Sequence, residues 1–81
     1  MSELKLAEIA IVVSHREKSA CPVNDILTQY GDYIIARMGV PHRQKQLSLI
    51  SIVMEAPAEK VDELSAKLKE VENIQVKVIA I

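Results

Sequence analysis

The residues best equipped for chemistry cluster at one joint of the chain. They are Arg37, Gly39, Pro41, His42 and Arg43, inside the stretch YIIARMGVPHRQKQLSLISIVM from Tyr33 to Met54. The guanidinium forks of Arg37 and Arg43 match the geometry of a carboxylate or phosphate. Gly39 permits a close backbone approach, and His42 adds a group that answers to pH or to a metal. The joint therefore predicts a site for a small anionic ligand at Arg37, Gly39, His42 and Arg43. The same residues also fit a plain charged turn, with an arginine paired to Asp32 or Glu55 at a subunit contact.

Other chemistries find less support. His15, Cys21 and His42 are the soft metal-ligand candidates, and they carry no CxxC, HxH or HExxH spacing. They could meet only through the fold or across an oligomer, and no metal site is assigned. Glu17, Asp25, Asp32 and the acids of the predicted second helix, Pro57–Val71, form no preset carboxylate pair for general acid–base work. No GxSxG or P-loop pattern is present. The reading has no catalytic residue and no cofactor.

Two strands must hold the joint, Tyr33–Val40 and Gln46–Met54, linked by a turn at His42–Lys45. In the first, alternation puts Ile34, Ala36 and Met38 on one face and Ile35 and Arg37 on the other. Gly39 suggests a bulge, and Pro41 predicts that pairing loosens or ends there. In the second, Ile50, Ile52 and Met54 oppose Leu47, Leu49, Ser51 and Val53.

The flanking segments complete a pattern. Leu4–Val13 (LKLAEIAIVV) moves from alternation to a continuous apolar run, as a central strand does. Ser14–Ser19 (SHREKS) reads as a polar connector. Ala20–Tyr30 reads as a helix with Ser19 as N-cap, Pro22 in its first turn and Gly31 as a left-handed C-terminal residue. Val23, Ile26, Leu27 and Tyr30 mark its apolar face, and the Tyr30 hydroxyl belongs at the rim. Pro57–Val71 is a second helix, opened by Pro57 at its first position, with the stripe Val61, Leu64, Leu68, Val71 and a Glu63–Lys67 pair four apart. Ile74–Ile81 is the fourth strand.

The order is β-α-β-β-α-β over residues 1–81, one domain. The predicted fold class is α+β, ferredoxin-like, a four-stranded antiparallel sheet with both helices on one face. The other face ought to be polar if water covers it. It instead carries Leu47, Leu49, Val53, Ile79, Ile81 and part of Ile9–Val13. A chain of 81 residues that is 49% apolar, with no Phe or Trp, has a thin aliphatic core and apolar surface to spare. Self-association, with another copy covering the open face or an edge of the sheet, is the expectation.

The net charge of −1 supplies no field for nucleic acid or for an anionic membrane. The sheet strands also lack the exposed aromatics that stack RNA bases on this scaffold. No apolar run is long enough to span a bilayer, and no N-terminal stretch reads as a signal peptide. The single cysteine fits a reducing cytoplasm.

One stretch resembles a known family. Tyr30-Gly31-Asp32, then Arg37-Met38-Gly39-Val40-Pro41 with Arg43 after it, is similar to a segment of the small ACT-like proteins known as iron-only hydrogenase system regulators. That family is in turn similar to the C-terminal regulatory domain of nickel-responsive repressors and to ACT domains, which bind small ligands between copies. The resemblance implies a cytoplasmic bacterial protein with a ferredoxin-like fold that works as a dimer or tetramer. Two sites do not carry over. Only His42 lies near the hairpin that holds the repressors' histidines, and Cys21 falls on the first helix. SHREKS lacks the glycine of the amino-acid-binding ACT loop. With all 81 residues spent on the α/β domain, any action on transcription goes through a protein partner. The expectation is a non-enzymatic, oligomeric regulatory module that senses a small ligand or acts through such a partner. A scaffold without ligand and a transition-metal sensor are the other readings.

Overall fold

The computed structural model describes residues 3–81. Its elements are β1 (Leu4–Ser14), α1 (Arg16–Gln29), a 3-10 turn (Gly31–Tyr33), β2 (Ile34–His42), β3 (Leu47–Pro57), α2 (Ala58–Lys69) and β4 (Ile74–Ala80). The strands form one sheet in the order β2-β3-β1-β4. Every neighbouring pair is antiparallel. This is the ferredoxin-like arrangement that element order and alternation predict.

The core lies between the sheet and the two helices. Ala7, Ile9, Ile11 and Val13 of β1 and Ile52, Met54 and Ala56 of β3 point into it. The helices close it with Val23, Leu27 and Tyr30 on one side and Val61, Leu64 and Leu68 on the other. Spacings of three and four deliver both sets to one helical face, as expected. Among the described residues no helix is long and apolar enough to cross a membrane.

The first helix departs from the expected boundaries. It starts at Arg16, not Ala20, because β1 ends at Ser14 and His15 turns the chain in a left-handed conformation (φ 51°). Ser19 is thus inside the helix and does not cap it. It is buried, and its hydroxyl donates to the Glu72 carbonyl at 2.8 Å, tying α1 to the turn before β4. Pro22 lies well past the first turn. It sits on the exposed side, where water can satisfy the carbonyl it leaves unpaired. Gly31 is not left-handed either, since no glycine has positive φ. It opens the 3-10 turn.

Ser19→Ala should therefore destabilise the chain by about 1–2 kcal/mol, through loss of one bond and a stranded carbonyl. Urea denaturation checks this; an unchanged midpoint would show that water replaces the hydroxyl.

Two strand features also differ. Pairing does not end at Pro41, which stays in register opposite Ser48. β2 is an edge strand, and an edge strand sends alternate N–H groups outward, so a missing donor costs little there. The bulge falls at Ile35, not Gly39: the register shifts between Ile34 and Ala36 and is regular from there to His42. The extra residue changes the alternation. Ile34 shares the helix-side face with Arg37 and Gly39, whereas Ala36, Met38 and Val40 take the open side.

In α2, Pro57 caps the helix and is not its first residue. Glu63 forms its ion pair with Lys60 at 3.3 Å, not with Lys67. Lys67 instead lies over the Tyr30 ring and donates to Gln29.

Candidate functional site

Antiparallel pairing of β1 with β3 sets Ser14 opposite Leu47. The end of β1, the start of α1 and the β2–β3 turn therefore meet at one end of the sheet. There they line a cleft of about 430 Å³ formed by Arg16, Glu17, His42, Arg43 and Gln46. The turn is locally fixed. His42 Nδ1 accepts the Lys45 N–H at 3.2 Å, the Gln46 N–H reaches the Arg43 carbonyl, and Gln46 is left-handed (φ 54°).

The cleft brings together two guanidinium groups, an imidazole and an amide, against one carboxylate. Neither Arg16 nor Arg43 has an ion-pair partner among the described residues. Glu17 lies 3.9 Å from His15 Nδ1, on the side of the connector. A volume of this order holds a small metabolite rather than a bare ion. Paired guanidinium forks bind oxyanions in a bidentate manner.

His42 and Arg43 of the expected site are in the cleft; Arg37 and Gly39 do not line it. Arg37 pairs across the ladder with Ile52, on the helix side, and its Nη2 donates to Asn24 Oδ1 of α1 at 2.9 Å. His42 pairs with Leu47 on the open side. Residues an odd number apart in a regular strand face opposite ways, so nearness in sequence places Arg37 and His42 on opposite faces. Gly39 faces open space: apart from its chain neighbours, nothing lies within 4 Å of where a side chain would start. Neither Asp32 nor Glu55 pairs with Arg37 or Arg43 among the described residues.

Arg16, Glu17 and Gln46 are the lining residues that sequence reasoning missed. The signal was topological: in this fold the connector after the first strand lies beside the central hairpin. His15, Cys21 and His42 stay scattered over the β1–α1 turn, the exposed side of α1 and the hairpin. Among the described residues no three His, Cys, Asp or Glu side chains group as metal ligands do.

A second polar cluster joins the end of α1 to α2. The Tyr30 hydroxyl donates to Glu63 at 3.2 Å, beside the Lys60–Glu63 pair. The Lys60 hydrogen bond, then that of Tyr30, holds the Glu63 carboxyl below the usual carboxylate value. The Glu63 hydrogen bond raises Lys60. The cluster runs from the buried Tyr30 ring to the half-exposed Lys60 and Glu63, and it reads as a clasp between helices.

Comparison with known proteins gives the following. The family model described as "TM1266-like: Iron-only hydrogenase system regulator, putative" matches residues 5–78. The chain is similar to the solved structure of the uncharacterized protein TM1266 from Thermotoga maritima, with TM-score 0.94 and 29% identity over 98% of this chain and 99% of that one. It is similar in fold to the ACT domain from GTP pyrophosphokinase of Chlorobium tepidum, with TM-score 0.66 and 16% identity over 96% and 86% of the two chains. It is also similar to CPII, a nitrogen regulatory PII-like protein from Thiomonas intermedia, with TM-score 0.50 and 18% identity over 98% of each chain. No curated protein matches the chain.

Proposed function

The chain belongs to the TM1266-like family of iron-only hydrogenase system regulators, and from that premise we propose that it is a non-enzymatic regulatory module that senses a small anionic ligand in the hairpin-end cleft. The observation that carries the reading is the meeting of Arg16 and Arg43 with His42 in one cleft. The lining offers groups that hold an oxyanion and no nucleophile–base pair. The ACT-like fold lends support by analogy alone: the PII-like neighbour is described as bound to ADP, AMP and bicarbonate. The module works as a homo-oligomer in the bacterial cytoplasm and passes its signal to a protein partner.

Calorimetric titration tests the site with pyrophosphate, ADP, citrate and bicarbonate as probes. At least one should bind saturably below millimolar concentration. Arg16→Ala and Arg43→Ala should each weaken it about tenfold or more, the effect of losing a charge-assisted pair. Arg37→Ala, whose guanidinium is held by Asn24, should leave the affinity unchanged. Absence of binding by all four probes, or equal binding by the Arg16→Ala/Arg43→Ala double variant, overturns the reading.

A further inference from the structure

The outer edge of β4 carries chemistry that the cleft does not use. β4 has β1 as its one neighbour in the sheet. At one end of this pairing the Ser14 N–H donates to the Asn73 carbonyl, and at the other the Ile81 N–H donates to the Leu6 carbonyl at 2.9 Å. In an antiparallel ladder such bonds recur at every second residue. Gln75, Lys77 and Ile79 therefore turn their backbone groups toward β1, and Ile74, Val76, Val78 and Ala80 turn theirs outward. The ladder holds one register from Ile74 to Ala80 and contains no proline. The opposite edge, β2, is broken by the bulge at Ile35 and by Pro41. An unbroken open edge is a template for a further strand.

The residues with outward backbone groups also face the helices, since they pair with Val13, Ile11, Ile9 and Ala7 of the core. α2 covers only part of them. Ile74 and Val76 are half-buried, whereas Val78 is 37% exposed. Beside Val78 and Ala80 opens a groove of about 300 Å³, walled also by Ala7, Ala58 and Val61, with Asp62 on its α2 flank. Residues directly opposite each other in a ladder share a face. A strand added to β4 thus sends the side chains opposite Val78 and Ala80 into this groove.

We propose that the β4 edge docks an extended segment of another protein, paired antiparallel, with an aliphatic side chain in the groove and a lysine or arginine beside Asp62. The free backbone groups fix the form of the occupant as a strand, and the groove gives its alternate side chains a seat. Charge fixes the rest. Lys5, which also lines the groove, is engaged by Glu3 at 3.4 Å. Asp62 has no ion-pair partner among the described residues. A second copy of β4 is a poor occupant. The antiparallel register that pairs all seven residues sets the two Lys77 side chains directly opposite each other, and like charges so placed are destabilising. A segment with an acid at that position is favoured instead. The groove lies at the other end of β1 from the cleft, so both can be occupied at once.

Amide NMR on the full chain, titrated with the acetylated and amidated peptide Lys-Thr-Val-Glu-Val-Thr-Val, tests the surface. Antiparallel to β4, this peptide sets its lysine opposite Ala80, its first valine opposite Val78 and its glutamate opposite Lys77. Saturable shifts should concentrate on Val76, Val78, Ala80 and the first turn of α2, with half-saturation below about 1 mM. The same peptide N-methylated at its valines should not bind, because those residues exchange the backbone bonds with β4. Val78→Pro should abolish binding while circular dichroism stays unchanged, since the lost N–H points away from β1. Asp62→Lys should weaken binding about fivefold, and a peptide with glutamate in place of its lysine should regain affinity for that variant. No shift at β4, undiminished binding of the N-methylated peptide, or shifts confined to the cleft at His42–Gln46 overturns the proposal. Shifts at β4 on dilution of the protein alone would assign the edge to a second copy and overturn it too. Failure of the charge swap overturns the role of Asp62. None of these results depends on whether the cleft binds an anion.

Discussion

Leu64→Ala is expected to cost about 3–4 kcal/mol and to lower the thermal midpoint by something like 15–25 °C. Leu64 is fully buried on α2, between Val61 and Leu68, and completes the wall of the core that faces β1 and β3. Alanine is a better helix former than leucine, so a loss cannot come from the helix itself and reports the cavity. Total stability for a chain this short is on the order of 4–12 kcal/mol, and the variant forfeits a large share of it. Urea denaturation with an unchanged slope would mark a pure stability effect. Leu49→Ala supplies the contrast. Leu49 sits on the open face, so within a single copy its truncation should cost under about 1 kcal/mol. Its cost should grow with protein concentration if a second copy covers it. A loss below 1 kcal/mol at Leu64 would show that α2 does not pack as described.

What was legible in the sequence followed periodicity. Val61, Leu64 and Leu68 repeat at helical spacing in a segment with no competing signal, and all three are buried. Leu47, Leu49 and Val53 alternate against Ile50, Ile52 and Met54, and the sheet divides them that way. Local signals misled where a long-range contact outbid them. Ser19 ahead of Pro22 imitates a helix start, yet its hydroxyl is spoken for by the Glu72 carbonyl. Gly31 imitates a helix stop, yet the chain leaves α1 through Tyr30 without a left-handed residue. The cleft was half legible. His42 and Arg43 reach it through the hairpin alone. Arg16 reaches it only because Ser14 pairs with Leu47, a contact that no local window contains. Arg37 was drawn in by nearness along the chain and placed on the other face by strand parity.

That parity leads to the sharpest contrast between two deletions in the same strand. Deleting Gly39 should cost on the order of 2–4 kcal/mol, and deleting Ile35 under about 1 kcal/mol. Gly39 lies in a regular ladder opposite Ile50. Its removal draws Val40 onto the helix side and pulls Pro41 one place along, into the position opposite Leu49. One step along an edge strand exchanges outward N–H groups for inward ones. Pro41 then stands where β3 needs a donor and has none to give. Met38 and Val40, two apart on the open face, would no longer share a side, and the groove they wall with Leu49 on that face would lose its shape. Ile35 is the extra residue between Ile34, paired with Met54, and Ala36, paired with Val53. Those partners are consecutive in β3, so removing Ile35 leaves a regular ladder with every downstream side chain on its present face. Its own side chain is 60% exposed and takes little burial with it. Denaturation midpoints of the two deletion variants decide the matter. Comparable losses, or a larger loss for Ile35, would show that the alternation breaks elsewhere in β2. In that case Arg37 and His42 would not be held on opposite faces.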